Sequence, residues 1–405
     1  MTATAARSGT LDFDPYAWDF HEDPYPLYRR LRDEAPLYRN ERLGFWALSR
    51  YDDVLAGFKD ADALSNAGGV SLDRSTQSDP SATASFLAMD PPRHDHMRGL
   101  VSRGFTPKRV ADLEPRIRAL ATTHIDAFIA DGRCDFIQDF AGKLPMDVIG
   151  EMLGVEPGDR DRLRHWAEAL LHRDDRVTGV PQSALAAGAN IAMYFRDLVT
   201  ARRRRPGADL TSALLEAELD GQRLSEQELV AFLFLMIIAG NETTTKLLGN
   251  ALYWLWRNPA ARDAVRTDPG LVPGWIEETL RYDASTQILA RTVRGTPSYH
   301  GERLADGDRV LLLVGAANRD ERTFSDPDVF DVRRDASAHV AFGKGTHFCM
   351  GAALARLEAR VALDAVVARF PDFEIDPRGL VRVHSINVRG FAAMPIAFTP
   401  CPTTR

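Results

Sequence analysis

The stretch Phe342-Gly343-Lys344-Gly345-Thr346-His347-Phe348-Cys349-Met350-Gly351 puts one cysteine in a glycine-punctuated loop directly ahead of a helix-like run over residues 352–360. The thiolate, not the thiol, is the nucleophile and metal ligand, and the start of a helix favours the negative form. The glycines let backbone amides approach the sulfur and let a flat cofactor lie close. A haem held by cysteine thiolate fits this arrangement, because that axial ligand pushes electron density onto iron and favours O–O cleavage. A lone cysteine is more often a small buried hydrophobe, so its neighbours carry the argument. Gly343-Lys344-Gly345-Thr346 has part of a phosphate loop but lacks the glycine spacing ahead of the Lys-Ser/Thr pair.

The run Phe-Gly-x-Gly-x-His-x-Cys-x-Gly, residues 342–351, matches the haem-binding loop of the cytochrome P450 family at every fixed position. The chain resembles that family nearly end to end. The resemblance implies haem b as cofactor, Cys349 as the iron ligand, and Phe342, Gly343, His347 and Gly351 around the cofactor. It also implies the cytochrome P450 fold: mainly α with small β-sheets, one large domain over residues 1–405, and a long central helix over the haem.

Residues 225–256 read as that helix, about 48 Å long at 1.5 Å per residue. Its first half is apolar on all faces and is expected to be buried. Polar residues then interrupt it: Ala239-Gly240-Asn241-Glu242-Thr243-Thr244-Thr245. A kink in which hydroxyls bond back to carbonyls is the structural explanation. The segment also resembles the family's oxygen-activation motif, small-Gly-x-acid-Thr. On that reading Gly240 lets a planar ligand lie against the helix, Thr243 hydrogen-bonds dioxygen, and Glu242 connects it to a proton supply as a buried acid–alcohol pair. Relatives that use peroxide directly lack the pair, so O2 plus electrons is the expected oxidant.

Glu278 and Arg281 are three apart and share a helix face. As a surface pair they would contribute little. The resemblance makes them a buried network supporting the cysteine loop, completed by Arg334 or its rival Arg333, and assigns them to the fold. Haem propionates need cations. His94 and Arg98, at i and i+4 after Asp90-Pro91-Pro92, point one way. The resemblance adds Arg291 and His347. Asp90 is the expected capping residue of that helix.

Other segments supply the frame. Residues 24–33 begin a helix at a proline. Residues 35–51 alternate around Gly44 as a hairpin. Long helices are predicted over 110–130 and 182–205, a short one over 273–282, a second hairpin at Asp306-Gly307, and strands over 381–398. By position in the family pattern, the substrate pocket takes Phe86, Leu87 and Ala88, then Leu235, Ile238 and Ala239, then Ile288 and Leu289, and last Asn387 and Val388. Most are apolar, so the ligand is expected to be apolar. Asn387 reads more readily as a turn residue than as a polar anchor. Residues 64–85 and 170–187, rich in small and polar side chains, are candidates for a lid. Ala284-Ser285-Thr286 stands where many relatives carry proline, which leaves the path of 287–290 open.

A net charge of −7 argues against nucleic acid as a partner. The Arg202–Arg205 run reads as a solvated helix end. Cys134, Cys349 and Cys401 show no paired spacing, which fits a reducing cytoplasm. Residues 1–10 lack an apolar signal core and are expected to be disordered, and the apolar run 229–239 is too short for a bilayer, so no membrane anchor is expected. Within the family this resembles the soluble bacterial type, here expected as a monomer. No flavin or nicotinamide fingerprint is present, so electrons are expected from a small acidic ferredoxin docking near Lys344, Arg103, Lys108 and Arg356. The leading reading is a haem-thiolate monooxygenase acting on a terpenoid, steroid, fatty acid or macrolide. The alternatives are a haem-binding sensor or carrier, which would need no Glu242–Thr243 pair, and the same scaffold catalysing oxidative coupling or peroxide-driven oxidation.

Overall fold

The computed structural model describes residues 11–73, 85–219 and 221–401. Residues 1–10, and the part of the lid candidate over 74–84, lie outside it. The helices that matter for the site are α1 (Tyr25–Glu34), α2 (Arg93–Ser102), α3 (Lys143–Leu153), α4 (Pro157–Leu171), α5 (Gln182–Arg204), α6 (Glu226–Arg257), α7 (Val272–Tyr282) and α8 (Ala352–Arg369). A five-stranded sheet flanks them. In chain order its strands are β1 (Leu37–Asn40), β2 (Phe45–Leu48), β3 (Leu64–Ser65), β4 (Ile288–Val293) and β5 (Arg309–Leu313). The spatial order is β1-β2-β5-β4-β3, with only β2 and β5 parallel.

The central helix α6 starts at a capping box in which Ser225 and Glu228 satisfy each other's backbone amides. It packs against α3, α5, α7 and α8. By length and composition it could cross a membrane, but here it is the core helix of the helical layer. Its burial differs from the sequence expectation. Residues Asn241, Glu242 and 244–252 are buried, whereas the apolar first half is buried only at Leu229, Phe232, Leu233 and Ile237. Leu235, Ile238, Ala239 and Thr243 remain partly open. Their spacing of three and four places them on one stripe of the helix, so the apolar half buries one face and keeps another for contact.

Three local expectations change. The helix over 110–130 is broken into Pro107–Asp112 and Glu114–Asp126, with Pro115 opening the second piece. Asp306-Gly307 is a turn, but β5 pairs with β4 rather than closing a hairpin there, and Gly307 N–H bonds Val293 O. Asp90 does not cap α2. Its carboxylate takes Ser65 Oγ at 2.5 Å, Asn66 N–H at 2.8 Å and Arg294 at 2.6 Å, tying α2's start to the loop after β3.

Candidate active site

The cysteine loop is held at both ends. Cys349 N–H donates to Phe342 O at 2.9 Å, which closes the loop on itself. Gly345 has φ +71°, and a Cβ there would lie 2.6 Å from Phe58 O, so only glycine fits. Cys349 carries accessible surface, yet burial in surrounding protein raises its thiol pKa. Amide hydrogen bonds from Gly351 and Ala352 at the start of α8, and the charges of Arg98 and Arg356, act in the opposite direction. A buried thiol offered two amides and two cations is built to become a thiolate once something shares its charge.

Beside the loop lies a concentration of arginine and histidine side chains. His94 on α2 is fully buried and its ring centre is 4.1 Å from that of His347. Arg98 donates to Phe348 O at 2.8 Å. Arg291 on β4 is buried; its pKa is lowered to about 10 by burial and by Arg309, with Asp90 acting against the shift. His347 is lowered to about 3, first by burial and then by His94, Arg291 and Arg98. Both ring nitrogens of His347 and Nε2 of His94 are buried with no hydrogen-bond partner among the described residues. Buried polar atoms without partners are costly. The two carboxylates of a haem would give these nitrogens partners and neutralise Arg98 and Arg291, so this set fits the group.

Across from the loop, the acid–alcohol pair is not hydrogen-bonded. Thr243 Oγ1 donates to Ala239 O at 2.7 Å along the helix. The Glu242 carboxylate instead faces Lys246 at 3.0 Å and accepts from Asn241 Nδ2 at 3.1 Å. The two are therefore neighbouring groups that a water would have to bridge. Gly240 is partly open, and a Cβ there would lie 3.1 Å from Ile149 Cγ1 on α3, a tight contact between the two helices.

The structural network is compact. Arg281 and Glu278 are fully buried and paired by two bonds of 2.7 Å. Arg334, not Arg333, completes it, with Nε 3.3 Å from Glu278 and its remaining nitrogens on the carbonyls of Ser325, Asp326 and Val329. Arg333 is exposed.

Of the pocket residues, Phe86, Leu235 and Ile238 share one cluster with Phe232 and with Met350 of the cysteine loop. Leu87 gives its carbonyl to Asn66, and Ala88 sits beside it, half-buried. Ala239 is half-buried one turn before Thr243. Leu289 is half-buried, but its strand neighbour Ile288 points the other way, into the core with Phe13, Tyr28 and Leu313. Ile288 is therefore core, as strand alternation demands. Val388 bridges Thr286. Asn387 spends its amide on Val70 O and Ile288 O, at 3.2 and 2.9 Å, and is a backbone clip rather than a ligand contact.

Sequence reasoning missed Lys246 and Glu277. The i,i+4 spacing of Glu242 and Lys246 was a readable signal. Glu277, next to Glu278, could not be distinguished from a surface charge.

Comparison with known proteins agrees with this geometry. The family model described as Cytochrome P450 matches residues 191–269 and 270–395. The chain is 56% identical over 389 residues to cytochrome P450 123 of Mycobacterium tuberculosis, covering 96% of this chain and 97% of that one. It is 40% identical over 382 residues to a steroid C26-monooxygenase of the same species, covering 93% and 94%. The structure of CYP109E1 from Bacillus megaterium in complex with testosterone superposes with a TM-score of 0.88 at 32% identity, covering 94% and 98%. The chain belongs to the cytochrome P450 family. It is a P450 monooxygenase, and its cofactor is haem b.

Proposed function

We propose that this P450 monooxygenase inserts one oxygen atom of O2 into an apolar small molecule, with electrons from a separate ferredoxin. Hydroxylation of a steroid-class substrate is the favoured reaction. The observation that carries the reading is the convergence of His94, Arg98, Arg291 and His347, drawn from three separate segments, beside the loop that presents Cys349. Cys349 would ligate the iron, and these four side chains would hold the propionates. A thiolate-ligated haem supplies dioxygen activation through O–O cleavage.

The chain's own groups do the rest. Phe86, Leu235, Ile238, Ala239, Leu289 and Val388 would exclude water and present an apolar wall. Thr243 Oγ1 would turn from Ala239 O to donate its one proton toward dioxygen, and Glu242 would pass protons to it through water. The steroid class is favoured because a steroid C26-monooxygenase and a testosterone-bound structure are among the similar proteins. Lys344, in the loop, supports a ferredoxin docking face; Lys108 is paired with Asp112 at 2.9 Å, Arg356 with Glu277, and the side chain of Arg103 lies outside the described residues. The protein would act as a cytoplasmic monomer.

The test is a carbon monoxide difference spectrum of the reduced protein. Wild type should give the red-shifted Soret band of a thiolate-ligated haem, and Cys349→Ser should abolish it. A Ser variant that keeps the band would sink the ligand assignment. Titration with sterols, fatty acids and macrolides, read as a shift in haem spin state, would then identify the substrate class.

A further inference from the structure

The segment leading into the cysteine loop and the helix leaving it are tied to one carboxylate. Glu277 on α7 stands next to the inward-facing Glu278. It takes two bonds from Arg356 on α8, Nε to Oε1 at 2.6 Å and Nη2 to Oε2 at 2.9 Å. Its Oε2 also accepts from His339 Nε2 at 3.1 Å. The other ring nitrogen fixes the tautomer. Ala341 N–H donates to His339 Nδ1 at 3.2 Å, so Nδ1 carries the lone pair and Nε2 the proton. Held this way, the Arg356 guanidinium lies 4.6 Å from the centre of the Phe342 ring. Phe342 is the residue whose carbonyl accepts the Cys349 amide.

The geometry points to Glu277 and Arg356 as a charge pair beside the cysteine loop that sets the electron affinity of the haem, Arg356 favouring the reduced form and Glu277 opposing it. The inference rests on the reading that Cys349 ligates the iron. Three observations support it. The carboxylate spans α7, the segment before the loop and the helix after it, so it fixes the loop's frame rather than one side chain. The Arg356 guanidinium lies over the Phe342 ring, in the residue whose carbonyl closes the loop on the Cys349 amide. Burial would raise the Glu277 pKa, yet Arg356 and His339 hold it down at about 2, so the pair stays charged across the working range.

The sign of the effect follows from charge alone. Reduction of ferric to ferrous haem adds an electron, so a nearby positive charge favours the reduced form and a nearby negative charge opposes it. Arg356 is 38% exposed and Glu277 28%, so solvent screens part of each effect.

The experiment measures the haem reduction potential of wild type, Glu277→Gln, Arg356→Met and Arg356→Lys, with the reduced carbon monoxide spectrum as a check on the ligand. Glu277→Gln should move the potential upward and Arg356→Met downward, with the thiolate band kept in both. Arg356→Lys, which keeps the charge but not the bidentate bond, should stay nearer wild type than Arg356→Met. Shifts of the same sign in the Gln and Met variants, or no shift in either, overturn the inference while leaving Cys349 as ligand. Loss of the band in all three variants overturns it too, by making the pair a structural brace. A wild-type protein without the band overturns the underlying reading, and this inference with it.

Discussion

Glu242 and Lys246 form an ion pair of 3.0 Å one turn apart on the central helix, with side chains 3% and 1% exposed. Breaking a buried pair leaves an uncompensated charge, which costs about 3–5 kcal/mol. Lys246→Met is expected to destabilise the protein by about that amount in denaturant unfolding. The double variant Glu242→Gln/Lys246→Met should recover most of the loss. A single variant as stable as wild type would mean that the pair contributes nothing to the fold.

Thr243 is bonded back to Ala239 O, not to Glu242. Thr243→Ala removes a hydroxyl without opening a buried charge. Haem content and ligand-induced spin shifts should be retained, while peroxide formed per electron consumed should rise several-fold. The measurement is peroxide against product at fixed electron supply, and an unchanged ratio contradicts a role in proton delivery.

His347 gives a pH dependence. Its folded pKa of about 3 lies below the ordinary value of 6.5, so the unfolded chain binds more protons between those limits. Stability of the haem-free protein is therefore complete above about pH 6.5 and falls as pH drops toward 3. At about pH 5 the loss is roughly 2 kcal/mol from this residue, at about 1.4 kcal/mol per unit. His347→Phe should flatten that slope in haem-free protein. Loading wild type with haem should flatten it as well, because propionates favour the charged ring.

Gly240 tests how the central helix packs on α3. Gly240→Ala places a methyl 3.1 Å from Ile149, and overpacking of this kind costs about 1–3 kcal/mol. Ile149→Val in the same chain should restore part of the loss. If Gly240 instead faced the ligand, the alanine would alter the spin-state titration and leave stability alone.

What was legible in the sequence was local. Cys349 with its glycines, Glu278 with Arg281, and Glu242 with Thr243 sit within a few residues of one another, so helix periodicity and loop chemistry describe them. What was not legible needed a partner from elsewhere. His94 and His347 are far apart in the chain, and only the family resemblance joined them before the fold did. Arg333 and Arg334 are neighbours with identical side chains, and the turn at Asp331 sends only the second toward Glu278. Ile288 and Leu289 belong to one strand, and pairing with β5 decides which faces inward. A glycine in a helix does not name the side from which it is approached, so the contact of Gly240 with Ile149 was not legible.

The Asn387 clip bears on how this enzyme can change its substrate. One amide holds the backbone of Val70 and Ile288, and Asn387 O accepts the Gln287 amide at 2.8 Å. The wall beside it is therefore fastened by main-chain carbonyls, not by the side chains it displays. Leu289 and Val388 take no part in that fastening, so exchanging them costs packing rather than the clip. On the proposed pocket, selection or a designer would reshape the chamber at those two positions while leaving position 387 untouched.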